Sequence, residues 1–462
     1  CNGIIPGFSQ SGGLGLLAAQ WMIEGEPEWD MFAWDLARFG DWADKAFTKA
    51  RVRDQYMHRF KIHFPNEERA AGRPAMTRPA YEMQRGMGAV FGLNAGWEHP
   101  LWFADAPGTE DTNGFARQNW FEPVGREAAM LRDAVGVIDI SNFGKYEVTG
   151  PGAGDWLDAL VANHVPREIG KSCLTPLIGM RGGVAGDFTI TMTGDESYMM
   201  IGSGMAERYH RRFFDMVPLP DGTGFEVATP RIAGFNVAGP RSREMLAGLT
   251  DADLSNEGWR FMRSRRIAVG GVDCLAIRVS FTGDLGWELH CAVDDQVALY
   301  EILLEAAAAH GGGPVGGRAL GALRIEKGYG SWGREYSPEY WPQEAGLHGL
   351  IKLDKDFLNK EAYLKISNTP PRESLTMFEV DVTDNADANG GEPIFLADGT
   401  PVGRVTSGSY GYTVGKSLAI GYAREGVVSA GDRVEIFILG KPHAATVLDK
   451  PPFDAGGERL RA

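Results

Sequence analysis

The chain has 462 residues, of which 44% are hydrophobic and 23% charged, and a formal net charge of −15. That length accommodates roughly three domains of about 100–200 residues each. The acidic balance argues against a general nucleic-acid binder or a protein that seeks anionic membranes, while leaving room for a local basic pocket that takes an anionic small molecule. No apolar run reaches the roughly 18 residues of a membrane span, and no signal peptide is visible.

The chain opens on Cys1 with C-N-G-I-I-P-G, which reads as the middle of a fold and suggests a fragment or a processed product. Ser11-Gly12-Gly13-Leu14-Gly15 then leads into an apolar run that predicts a helix ending near Gly25. A glycine turn before a helix can present N–H groups to a phosphate, and a tight helix start explains the same residues. Asp44 to Phe60 is charged and helix-prone. Residues 96–103, G-W-E-H-P-L-W-F, read as irregular and aromatic, and as packing between domains rather than a platform for bases.

A polar stretch from Asp105 to Asn113 marks a boundary. Beyond it come a helix over 127–134, strands at 137–140 and 146–149, and a helix opened by Pro151-Gly-Ala-Gly that runs to Leu160. Gln296 to His310 and Ala319 to Lys327 read as two further helices. From about residue 375 short alternating runs separated by turn residues predict a small β-barrel or sandwich. The fold class is therefore α+β, with layers of helix and sheet followed by an all-β unit.

The four cysteines, Cys1, Cys173, Cys274 and Cys291, form no C-x-x-C pair. They read as small apolar residues in a reducing compartment, the cytoplasm or, in a eukaryote, the mitochondrial matrix. The histidines are scattered and no H-E-x-x-H occurs, so no metal is expected.

Four segments carry the chemistry. Arg181-Gly-Gly-Val-Ala-Gly-Asp187-Phe-Thr-Ile-Thr-Met192 sets one carboxylate between a glycine-rich turn and a β-prone run. Arg278-Val-Ser-Phe-Thr-Gly-Asp-Leu-Gly-Trp-Glu288-Leu reads as strand, glycine turn and strand. Leu323-Arg-Ile-Glu-Lys-Gly328 closes a helix. Gly403-Arg-Val-Thr-Ser-Gly408 and Ala419-Ile-Gly-Tyr422 belong to the β unit.

In this order the motifs resemble the folate-dependent aminomethyltransferases, the T-protein of glycine cleavage and its relatives, over about residues 120–455. The first hundred residues instead resemble the tail of the flavin domain in dimethylglycine and sarcosine dehydrogenases, through S-G-G-L-G, E-E-R-A-A-G-R-P and N-A-G-W-E-H-P-L-W-F. The resemblance implies a flavin-domain tail and linker over 1–105, a folate-binding domain over 106–372 and a C-terminal barrel over 373–462. It implies FAD, held mostly outside this chain and reduced by an N-methylated amine, with oxygen or an electron-transfer protein as acceptor. Tetrahydrofolate would capture the iminium or formaldehyde product as methylenetetrahydrofolate.

The resemblance also implies residue roles. Asp187 aligns with the catalytic aspartate. T-protein members often carry a pair of acids at this point, and Gly186 fills the first place here. Glu288 matches the pterin-binding glutamate, whose two oxygens suit an amino group beside a ring N–H. Phe281 falls where dehydrogenase relatives carry Tyr against the folate, and Phe143 is a weaker ring contact or a core aromatic. Arg324 and Arg404 pair either with the folate glutamate carboxylates or with Glu326 and neighbouring acids. Tyr329, Trp332 and Arg334 rank below these, and Gly12, Gly13 and Gly15 are a flavin-domain remnant. Two other readings stay open: a free-standing folate aminomethyltransferase, and a non-catalytic regulatory relative like that of pyruvate dehydrogenase phosphatase.

Overall fold

A computed structural model describes residues 7–462; Cys1 lies outside them. Its centre is a pair of packed sheets. The first has five antiparallel strands in the spatial order Ser172–Ile178, Val184–Gly194, Ser197–Gly202, Gly144–Thr149 and Gly224–Val227. The second has six, ordered Ser264–Val269, Val272–Ile277, Gly286–Ala292, Ile232–Ala238, Gly136–Asp139 and Gly313–Val315. Only the last pair of the second sheet is parallel.

Alternation along the strands assigns each sheet an outer and an inner face. In the first sheet Phe188, Ile190, Tyr198 and Met200 pack outward with Trp156, Leu157 and Phe214. In the second, Phe235, Ala276, Trp287 and Leu289 pack outward on Leu299, Tyr300 and Leu303 of the helix Gln296–Ala309. The inner faces meet at Met199 and Ile201 from one sheet and Ile232, Leu275 and Ile277 from the other, with Phe143 and Val279 against them. Burying each such side chain contributes on the order of 1.5–3 kcal/mol.

The C-terminal unit is a closed barrel of six strands, ordered Glu373–Val380, Lys416–Arg424, Pro401–Gly411, Pro393–Phe395, Arg433–Ile438 and Lys441–Leu448. The helix Gly317–Glu326 carries L-R-x-E-K-G and packs against it. Closure satisfies both edges, so the alternating pattern read in the sequence has a barrel as its outcome.

The N-terminal region departs from the sequence reading in two places. Residues 97–103 are not irregular: Trp97–Phe103 pairs with Ala89–Asn94 as an antiparallel hairpin, and its Trp102 is buried. Gly12, Gly13 and Gly15 do not form a turn before a helix. They lie inside the helix Gly7–Glu24, with nothing within 4 Å of a Cβ at any of them. The charged helix is present as Lys45–Met57, capped by the Asp44 carboxylate accepting the Phe47 N–H at 2.8 Å. The helix expected over 127–134 starts earlier, at Phe121; Pro123 near its first turn is compatible with helix.

Candidate functional site

Asp187 is the fourth residue of the strand Val184–Gly194. The register against Ser172–Ile178 slips between Leu177 and Ile178, so an extra residue sits just before it. Such a bulge re-aims neighbouring side chains. Phe188 points outward into the core, so Asp187 points inward, on the same face as Thr189, whose cross-strand partner is Ile201 of the inter-sheet cluster. Glu288 lies directly opposite Ile277, another member of that cluster. Both acids therefore border the one space where the inner faces of the sheets meet.

Their surroundings differ. Asp187 is half-buried, and no ion pair reaches it among the described residues. Burial raises its pKa from the ordinary 3.8 to about 6. Glu288 is 18% exposed, and its Oε2 lies 3.4 Å from Nε2 of the fully buried His290. Asn236 stands opposite Glu288 in register, and the Ser280 hydroxyl reaches Asn236 Oδ1 at 3.4 Å.

The glycines beside Asp187 have separate reasons. Gly182 has φ +87°, which a residue with a side chain rarely adopts. A Cβ on Gly183 would fall on the Pro338 carbonyl. A Cβ on Gly186 would come within 2.9 Å of His210 Nε2 and of Phe188. Gly186 therefore has no room for a second acid at this point. His210 is buried in an aromatic cage, 4.8 Å from Phe188 and 5.3 Å from Trp332 between ring centroids. Burial lowers its pKa to about 3, so the ring is neutral.

Phe281 is half-buried and stacked on Tyr329 at 5.7 Å with an 18° interplanar angle. Phe143 is partly buried between the inter-sheet cluster and the core beneath the helix Gly317–Glu326. Trp332 lines the outer side of the Asp187 strand, donating its indole N–H to the Ala185 carbonyl at 2.9 Å. Arg334 is exposed, and among the described residues its guanidinium donates to the Asn389 carbonyl at 3.3 Å.

The two arginines are engaged by the protein itself. Arg324 is buried and donates to Glu335 at 2.7 Å, Ser407 at 2.8 Å and the Tyr329 carbonyl at 2.9 Å. Its acid is Glu335 rather than Glu326, which instead pairs with Arg132 at 2.9 Å. Arg404 donates to Glu339 at 2.8 Å and to the Tyr340 hydroxyl at 3.0 Å, and lies 3.4 Å from Glu373. The L-R-x-E-K-G segment is thus a latch between helix and barrel.

Sequence reasoning passed over Tyr336 and Lys145. Burial, and then the nearby Asp187 carboxylate, push the Tyr336 phenol well up. Lys145 is fully buried at the turn joining the two sheets. Gly-Lys after D-I-S-N-F was the available signal, since an unpaired lysine flanked by apolar strand residues is uncommon inside a protein.

The Gly12–Gly15 segment, lying inside a helix, presents no helix-start turn that could cradle a phosphate. No helix among the described residues is long and apolar enough to cross a membrane.

Comparison with known proteins places residues 80–355 in the GCVT N-terminal domain family and residues 374–454 in the glycine cleavage T-protein C-terminal barrel domain family. Residues 24–77 match the FAD dependent oxidoreductase central domain. The mouse (Mus musculus) mitochondrial dimethylglycine dehydrogenase is 35% identical over 96% of this chain and 51% of its own length. The formaldehyde-forming 4-methylaminobutanoate oxidase of Paenarthrobacter nicotinovorans is 31% identical over 99% of this chain and 56% of its own. The chain thus spans about half the length of the curated relatives it matches. In fold it resembles the glycine cleavage system aminomethyltransferase T of Bartonella henselae, with TM-score 0.71 and 23% identity over 82% of this chain and 98% of that one.

Proposed function

The chain belongs to the glycine cleavage T-protein family, and on that premise we propose that it is the folate-binding portion of an N-demethylating, FAD-dependent dehydrogenase or oxidase acting on a small N-methylated amine. The observation that carries this reading is the placement of Asp187 and Glu288 on facing inner surfaces of the two sheets. The match to an FAD oxidoreductase domain over 24–77 supports a flavin partner portion. Phe8, Met22, Ile23, Phe60 and Ile62 are exposed apolar side chains open to packing against a further portion. FAD would supply the hydride acceptor when bound. The reading divides the chain into 1–105, 106–372 and 373–462, and puts the protein in a reducing compartment, the cytoplasm or the mitochondrial matrix.

In the folate half, Glu288 accepts the paired N–H donors of the pterin edge, and the Phe281–Tyr329 stack supplies an apolar face for its ring. Asp187 takes the proton released when the folate nitrogen attacks formaldehyde or an iminium carbon. A base with a pKa near 6 is ionised at neutral pH yet still accepts a proton in the transition state.

The test is titration of the chain with tetrahydrofolate by intrinsic fluorescence, followed by its condensation with formaldehyde. Saturable binding and methylenetetrahydrofolate formation above the spontaneous rate are expected. Absence of binding would favour a non-catalytic regulatory relative.

A further inference from the structure

The two sheets are joined by the turn Ile140–Phe143, between the strands Gly136–Asp139 and Gly144–Thr149. Lys145 lies beneath this turn with no exposure. Its Nζ donates to the carbonyls of Ile140 at 3.2 Å, Ser141 at 3.2 Å and Phe143 at 3.1 Å. All three ammonium protons are thereby used on one turn. Arg78 grips the same turn from outside, donating to Ser141 at 2.9 Å and to Thr229 at 2.7 Å.

The charges that face Lys145 come from every element around it. Arg78 opposes its proton, while Asp139, Glu288 and Glu207 favour it. His290 and Cys291 on the Glu288 strand also sense it. Burial outweighs the carboxylates and brings the ammonium down to about 7. A buried lysine held by neutral carbonyls, with no direct ion pair among the described residues, is costly unless its charge has a use.

We propose, on the footing that this cleft binds reduced folate, that Lys145 is its positioning residue: the ammonium holds the Ile140–Phe143 turn closed, fixes Phe143 between the sheets and places a cation behind Glu288. Loss of the proton leaves two N–H donors for three carbonyls and removes the charge assistance. The turn then loosens and the ligand binds less tightly.

The experiment uses folinic acid, a stable reduced folate, with the full chain and its Lys145→Met and Lys145→Gln variants. Wild-type affinity is expected to fall about tenfold between pH 6.5 and pH 8.5. Lys145→Met is expected to bind about tenfold more weakly than wild type at pH 6.5 and to show no dependence over that range, with Lys145→Gln between them. A Met variant that keeps the wild-type pH dependence and only melts earlier would reduce Lys145 to a packing residue. Hydrogen exchange of the 140–147 segment in unliganded wild type, corrected for intrinsic rate, provides an arm that needs neither folate nor a stable variant. Faster corrected exchange at pH 8.5 is expected, and unchanged exchange overturns the proposal. If wild type binds no folinic acid at any pH, the folate reading fails, while exchange still decides what Lys145 does to the turn.

Discussion

The junction between helix and barrel and the cleft between the sheets both bury charge, but they treat it in opposite ways. At the junction every charge has a partner. Arg132 bonds to Asp284, to Glu326 at 2.9 Å, to Thr413 at 3.1 Å and to the Thr282 carbonyl at 2.8 Å. Asp284 also takes Arg459 at 2.6 Å, and Lys327 holds Asp454 at 2.9 Å. Beside the cleft, His290 Nδ1 has no hydrogen-bond partner and Asp187 has no cation among the described residues. A fully satisfied network fixes geometry; polar groups left open are available to a ligand.

That contrast can be broken, and the largest effect should come from the open side. Asp187→Asn should slow condensation of tetrahydrofolate with formaldehyde by about 10²–10⁴-fold, the span of a lost general base, while reduced-folate affinity stays within about twofold; single-turnover rates and a binding titration separate the two. On the closed side, Arg132→Met should cost about 3–5 kcal/mol of stability, because it strands Asp284 and Glu326 without their shared cation. Chemical denaturation reads that loss, and a variant as stable as wild type would mean the network is dispensable.

Glu288→Gln turns one acceptor into a donor that faces a donor. About 1–3 kcal/mol of folate affinity should go, with little change in the rate of bound material, as a KM-against-kcat comparison would detect. The exposed Glu82–Arg85 pair, whose side chains are 67% and 62% accessible, sets the lower limit. Glu82→Ala should move stability by no more than about 0.5 kcal/mol, and a larger shift in melting would place this pair among the structural contacts.

How much of this was legible depends on the range of the interaction. The Asp187 and Glu288 strands and most barrel strands were readable, because period-two alternation is local and Asp187 and Glu288 each sit beside turn glycines. The 97–103 strand was not, since Pro100 and the aromatics obscured a pairing that the hairpin partner settles. Gly12, Gly13 and Gly15 misled because glycine marks turns more often than helix interiors. Arg324 was given a ligand's carboxylates or Glu326 and neighbouring acids, without a choice among them. Its acid is Glu335, in the loop after the helix and itself held by Thr406 of the barrel, and its hydroxyl partner Ser407 comes from a barrel strand. Lys145 escaped notice because only the fold shows that its ammonium has nowhere to go but three carbonyls of its own turn. Gly186 was readable as a departure from the paired acids of T-proteins, and His210 supplies the steric reason.

The charge on Asp187 gives the most direct test. Its carboxyl takes up a proton more readily in the folded chain than in the unfolded one, where the value is near 3.8. Stability therefore declines as pH rises from about 4 to about 6, and the basic form is present above that range. Single-turnover condensation of bound tetrahydrofolate with formaldehyde, followed from pH 5 to pH 7.5, should rise in wild type with a midpoint of about 6 and stay low and level in Asp187→Asn. A variant that keeps the wild-type rate and the same rise with pH would contradict the assignment of the base.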